Sequence, residues 1–406
     1  MKINFTKDKI ARLTPLLISI LLALLIFYFS LYLDTWPNFW GNLKIPPNHV
    51  PFSDYKAHLL FLQCQELGIN INSQECTLIP KGNANINTHP RIWIYLFNIL
   101  NLKDPFMYNM SIITLFTLYF YVLTKVFKKF QNKLSKIIFI IILFSTTNFI
   151  LIERLSTDLI IFLLVYFILN IKNKISQSLL IFFGFLLKFY PIFLISLLIE
   201  KKKYIFIFII IFTIFISLFY IEEIQLINKN IIEMALPIAY GSRTMLKAFY
   251  HLSLEYDLFV NDKNMNLFRY IVVLAFFTYS FILILVGYNS QYTSNIKNRL
   301  DKYFLAGATI YVGTYIIGAN ADYRLIFLIF TVPYITTLEF RLIKYPLLFC
   351  YIFSFNSFYF LIGDFLSMTF FISAFFIFLC KFIILSLLTI LIGVEIKKTN
   401  FFKLSI

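Results

Sequence analysis

Apolar runs, each approaching the roughly 20 residues that cross a bilayer, recur along most of this chain and alternate with short lysine-bearing segments. The first, LTPLLISILLALLIFYFSLYL, follows Lys2, Lys7, Lys9 and Arg12. It is too long for the core of a cleaved signal peptide and no small-residue cleavage site precedes Asp34, so it reads as a retained signal anchor. Of the 406 residues only 14% are charged, against about 25% in an ordinary soluble domain. The expectation is an all-α, polytopic integral membrane protein, with 1–406 as one membrane-embedded domain.

A net charge of +16 at first suggests nucleic acid. The lysines sit instead in short loops, where they orient membrane helices toward the cytoplasm, and no nucleic-acid partner is expected. With the N-terminus cytoplasmic, helices are predicted at about 14–33, 108–124, 137–152, 159–170, 204–220, 269–287, 303–319, 325–340 and 345–362. A last apolar stretch returns to Lys397 and Lys398 and leaves Lys381 inside it unexplained. That makes about ten membrane crossings.

The segment SLLIFFGFLLKFYPIFLISLLIEKKK departs from this pattern. As a crossing it would put Lys201, Lys202 and Lys203 outside, and Lys188 and Pro191 interrupt it. Residues 178–200 therefore predict a re-entrant hairpin with both ends cytoplasmic, a kinked crossing being the alternative. Two long extracytoplasmic loops result, 34–107 and 221–268. All four histidines (His49, His58, His89 and His251) fall on that face, as do most carboxylates. Any chemistry is expected there.

In the first loop, FSDYKAHLLFLQCQELG places Asp54 and His58 four residues apart, on one face if the stretch is helical. Ser53 or Asp54 would cap that helix and Gly68 would end it, so Asp54 reads either as a cap or as a functional carboxylate. NTHPRIWIYLFNIL sets His89 and Arg91 around a proline at the start of a second helix, about 91–102, too short to span. Both helices are expected to be interfacial. ERLSTDL brings Glu153, Arg154 and Asp158 to an outer helix end, and GANADYRLIF does the same for Asn320, Asp322 and Arg324; capping is the alternative for both. Arg324 at a helix start opposes the helix dipole, which suits contact with an anion. AYGSRTMLKAFYHL offers Arg243, Lys247 and His251, either as a site or as a solvated basic loop. Lys188 lies in an apolar stretch, where a cation faces a partner or a cavity, or snorkels to the interface. Cys64 and Cys76 are spaced to bridge a short external loop. No Gly-rich phosphate loop is present. A zinc site from Asp54, His58 and His89 lacks any close ligand motif, so no metal or cofactor is expected.

FSDYKAHLLFLQCQELG after the first helix, ERLSTDLIIFLLVYFIL and LLKFYPIFLISLLIEKKKY together resemble the membrane-embedded GT-C glycosyltransferases, in particular the bacterial polyprenyl-phosphate-mannose-dependent mannosyltransferases of glycosyltransferase family 87. The likeness covers residues 14 to 205. It implies a GT-C-like fold and an inverting transfer of a hexose, such as mannose, from a polyprenyl phosphate to a hydroxyl of a glycan or lipid acceptor on the extracytoplasmic face. Asp54 matches the catalytic aspartate of that family. His58, His89, Asp158 and Asp322 would then bind the sugar or acceptor, and Arg91, Lys188, Arg243 and Arg324 the donor phosphate. Competing expectations are an O-antigen polymerase or ligase, whose arginine- and histidine-bearing loops lie later in the chain, and a lipid or solute transporter.

Overall fold

The computed structural model describes residues 7–32, 35–46, 48, 50–71, 74–76, 78–79, 89–199, 202–217, 221–230, 239–242, 244, 262–290, 299–318, 320–361 and 368–398. Arg243, Lys247, His49 and His251 lie outside the described residues.

Among the described residues the chain is almost wholly helical, as the apolar patterning predicts. Helix α1 (Lys7–Ser30) is followed by a short α2 (Thr35–Asn42) that buries Trp36 and Trp40. In the first loop, α3 (Ser53–Glu66) and α4 (Ile92–Ile99) fall on the two stretches expected to be helical. Just past the end of α3, Gly68 adopts the left-handed conformation (φ 80°) that glycine reaches without steric cost. A disulfide joins Cys64 to Cys76. Helix α5 (Pro105–Phe127) is capped by Asp104, whose carboxylate accepts from the backbone N–H groups of Phe106 and Met107.

The single helix expected at 137–152 is two helices, α6 (Lys133–Leu143) and α7 (Thr146–Arg154), bent by 45°. Local polar side chains explain the break. Ser145 Oγ donates to the Ile142 carbonyl at 2.6 Å and Asn148 Nδ2 to the Leu143 carbonyl at 2.7 Å, drawing these acceptors out of the helical ladder. Helix α8 (Thr157–Asn170) follows.

Helix α9 (Lys174–Leu187) ends where Lys188 becomes extended (φ −155°, ψ 141°), just before Pro191. A 3-10 helix, Tyr190–Leu198, and then α10 (Lys202–Phe215) continue the chain. Lys174 Nζ donates to the Leu197 carbonyl at 2.8 Å. A continuous helix would hold those residues about 35 Å apart at 1.5 Å per residue, so the chain doubles back at Lys188.

Beyond α11 (Ile221–Asn230) come strand β1 (Ala239–Tyr240), α12 (Asp262–Asn289), α13 (Arg299–Ile317) and strand β2 (Asn320–Ala321). The strands pair antiparallel, Ala239 opposite Ala321 and Tyr240 opposite Asn320. A second 3-10 helix, Asp322–Phe330, leads into α14 (Val332–Thr337), α15 (Arg341–Phe355), α16 (Ser357–Phe360) and the long α17 (Met368–Lys398).

Among the described residues, α5, the Tyr270–Asn289 part of α12 and the Ile372–Lys398 part of α17 are long and apolar enough to cross a membrane. Counting Thr14–Ser30 with α2, and α6 with α7, as bent pairs raises the number to five. The protein is a membrane protein by this measure. Among the described residues fewer than ten unbroken crossing helices are found, and several apolar runs are divided, at Ser145, at Lys188 and at Thr331.

The chain falls into two compact units. The first comprises Met1–Gln131, Ile150–Phe167 and Glu222–Asn230; the second comprises Asn132–Phe149, Ile168–Ile221 and Ile231–Ile406. In the first, α1 packs along α5, and the Phe52 ring meets Trp36 edge-on and tilts over Phe116. In the second, α12 packs along α17, and α13 packs against both 3-10 helices.

Candidate functional site

Within the first unit, Asp54 of the loop that follows α1 lies near Glu153 of α7. Asp54 stands in the first turn of α3 and is partly exposed. It is not the cap: that position belongs to Phe52, which makes no side-chain capping bond. Glu153, near the end of α7, is fully buried. Its Oε1 accepts from the Asn48 backbone N–H at 2.9 Å, its backbone carbonyl accepts from the Phe52 N–H at 3.1 Å, and Arg154 Nε lies 3.7 Å from its Oε2. Asp54 is close enough to act on Glu153 electrostatically, and the buried Trp36 indole adjoins it.

The backbone here is strained on both sides. Phe52 (φ 56°) and Leu155 (φ 44°) occupy the left-handed region, which bulky side chains rarely enter. Such residues cost on the order of 1–3 kcal/mol each and persist where surrounding packing over-determines them. For Phe52 that packing is Trp36 and Phe116, at ring separations of 5.2 and 5.5 Å. The backbone bond from Phe52 to Glu153 thus ties the start of α3 to the end of α7 at a cost in local conformational energy. Tyr55, next to Asp54, is pushed up to about 12 by burial, although the Ser111 hydroxyl bonded to it opposes this. It stays protonated at neutral pH.

One turn along α3, His58 is wholly buried. Its ring lies 4.9 Å from that of His89, 5.4 Å from Trp93 and 5.5 Å from Phe97. The structure therefore brings His58 and His89 together. Arg91 is exposed at the start of α4, and its backbone N–H donates to Glu223 Oε1 at 2.5 Å. Asp158 is fully buried in the first turn of α8. Ser156 Oγ lies 3.2 Å from Asp158 Oδ2 and accepts from the Asp158 N–H at 3.4 Å, the capping arrangement foreseen as the alternative. Among the described residues no group of three His, Cys, Asp or Glu side chains is placed to hold a metal ion.

The second unit gathers the remaining candidates. Asp322 opens the 3-10 helix Asp322–Phe330 and is buried, with Lys381 Nζ 2.6 Å from Oδ1 and 2.9 Å from Oδ2. Ser357 Oγ donates to Oδ2 at 2.8 Å, and the same lysine donates to the Ala239 carbonyl of β1 at 3.3 Å. Arg324 donates to Asn320 Oδ1 at 2.5 Å, and its guanidinium lies 5.5 Å from the centre of the Tyr190 ring. Lys188, two residues before Tyr190, is buried at the break after α9. Lys188, Arg324 and Asp322 thus fall around two broken helices of one unit.

The sequence assigned no role to Glu153 or Lys381. Each carried a signal: a carboxylate at the outer end of an apolar run, and a lysine inside one. Searches against protein-family models, curated proteins and solved structures find no match to this chain.

Proposed function

We propose that the protein is a membrane-embedded glycosyltransferase that moves a hexose from a polyprenyl phosphate to an acceptor hydroxyl at the extracytoplasmic face, with Asp54 as general base. In this reading the apolar segments make about ten crossings and 178–200 a re-entrant hairpin, in a GT-C-like arrangement. The observation that carries the proposal is Asp54, in the first turn of α3, lying near the buried Glu153 of α7, with left-handed Phe52 before the one and left-handed Leu155 after the other.

The chemistry asks for one accessible carboxylate. As the acceptor oxygen bonds to the anomeric carbon its proton passes to Asp54, and the bond from that carbon to the lipid phosphate breaks with inversion. The departing phosphate is already an anion and calls for cations rather than an acid. Arg91 is a cation of the same unit as Asp54. The disulfide favours an oxidising compartment for the first loop.

The test is transfer of a hexose from a polyprenyl phosphate by the purified protein in lipid nanodiscs. Asp54→Asn should lower turnover by about 10²-fold or more. Near-normal transfer by that variant would sink the assignment.

A transporter reading has one observation in its favour, the ion pair Asp322–Lys381 buried beside a broken helix. Solute counterflow in proteoliposomes that is lost in Asp322→Asn would support it over transfer.

A further inference from the structure

Helices α15 and α17 pack along one another in the second unit. The Phe353 ring of α15 meets Phe376 of α17 edge-on at 5.1 Å, and Phe349 lies 6.3 Å from the same ring. At this level the helices also bring together Cys350, the residue after Phe349, and Cys380, one turn beyond Phe376. The Cys350 thiol hydrogen-bonds to the Cys380 sulfur. Both residues are 2% exposed, and neither is in a disulfide. We infer that Cys350 and Cys380 form a two-electron redox site, a dithiol that closes to a disulfide between α15 and α17 by reducing a lipid-soluble quinone.

A single buried cysteine ordinarily serves as a small apolar packing group. Here two of them, from different helices, meet sulfur to sulfur. They need only close to the roughly 2 Å of a disulfide bond. Lys381, directly after Cys380, acts electrostatically on that thiol. A neighbouring cation is typical of reactive cysteines, because the thiolate is the form that attacks.

The position of the pair selects its oxidant. Cys380 lies in the Ile372–Lys398 segment, which is long and apolar enough to cross a membrane. Buried there, the thiols are closed to water-borne disulfides, whose exchange depends on access. The cover toward the outside of the unit is thin: Phe349, Phe376 and Leu379, which flank the two thiols on their helices, are 50%, 37% and 41% exposed. An apolar two-electron acceptor dissolved in the bilayer is the class that fits. On closure both S–H bonds break and one S–S bond forms, and the two electrons and two protons convert the quinone to the quinol.

Closure bears on the ion pair of the same unit. Lys381 on α17 and Ser357, two residues past the end of α15, both bond Asp322. A bridge from Cys350 to Cys380 ties together the two stretches of chain that supply those contacts. The inference does not rest on the transferase reading above, since it concerns the second unit alone.

The test uses the unmodified full chain in lipid nanodiscs and two oxidants. One is duroquinone, whose fully substituted ring cannot add to a thiol; the other is glutathione disulfide, which stays in water. After exposure the protein is denatured, alkylated, digested and analysed by mass spectrometry. Duroquinone should yield a peptide joining Cys350 to Cys380, with duroquinol appearing as the bridge forms, at least about tenfold faster than glutathione disulfide does. Cys350→Ser should stop the production of quinol. Full alkylation of Cys350 and Cys380 after the quinone would overturn the inference. So would equal rates with the two oxidants, which would put the thiols in contact with water, and so would quinol production that persists in Cys350→Ser, which would trace the electrons to another source.

Discussion

Lys381 and Asp322 form an ion pair with both side chains about 1% exposed, Nζ standing 2.6 Å from Oδ1. Ser357 and the Ala239 carbonyl complete the hydrogen bonding around it. A buried pair of this kind is poor evidence of net stabilisation, yet removing one partner strands the other charge and costs about 3–5 kcal/mol. Asp322→Asn and Lys381→Met should each lower the thermal unfolding temperature in detergent. The double replacement Asp322→Leu/Lys381→Met should recover a large part of the loss. Additive losses would mean that the two charges do not compensate each other.

Some of this was legible in the sequence and some was not. The two short helices of the first loop were, because Gly68 and the proline before Arg91 punctuate them and such signals act over a few residues; the expected cap at Ser53 or Asp54 was not, since Phe52 holds that position without a capping bond. The chain reversal near Lys188 was too, since three consecutive lysines after it restrict which side its end can occupy. The bend at Ser145 was not, because it depends on hydroxyl and amide side chains choosing nearby carbonyls over solvent. The partner of Lys381 lies 59 residues away and becomes its partner only through folding. The setting of Glu153 depends likewise on Asn48 and Phe52 being folded over it.

The reversal at Lys188 has a direct topological test. Lys174 Nζ reaches the Leu197 carbonyl, so the two ends of the segment lie together. Single cysteines at Ser178 and Lys202, in a background lacking the native cysteines, should react with an impermeant maleimide from the same side of the membrane, the cytoplasmic one. Labelling from opposite sides would make the segment a crossing and reverse the orientation of every later helix.

The Cys64–Cys76 disulfide closes a short loop, its cysteines 12 residues apart. Restricting the unfolded chain to that extent is worth about 2–4 kcal/mol. Cys64→Ser/Cys76→Ser should therefore unfold at a lower temperature, and the unmodified protein treated with reductant should match it. Two free thiols on mass analysis of protein purified without reductant would show that the bridge does not form.

Helices α12 and α17 approach through glycines. A Cβ added at Gly287 would collide with the Ile390 backbone oxygen, and one at Gly393 with the Ile284 backbone oxygen. The obstructing atoms are main chain and cannot rotate away. Gly287→Val and Gly393→Val should each force the helices apart and cost about 1–3 kcal/mol or more, seen as a lower unfolding temperature. Gly41→Val, where the space is open, should shift it much less.

Glu153 is the residue whose replacement best separates a positioning role from a packing role. Glu153→Gln keeps an oxygen for the Asn48 N–H and nearly the same volume, so the unfolding temperature should hold. Glu153→Ala removes that acceptor from a fully buried position and should destabilise the protein by about 1–3 kcal/mol. If Glu153 helps orient the base, Glu153→Gln should lower kcat by about 10–100-fold while KM changes little, the size of effect expected when a catalytic group is slightly misplaced. Residues that act as one unit give losses that do not multiply. The double variant Asp54→Asn/Glu153→Gln should therefore turn over no more slowly than Asp54→Asn alone. Losses that multiply would show Glu153 working apart from Asp54, and a Glu153→Gln protein with unchanged kcat would reduce it to a buried acceptor for the loop backbone.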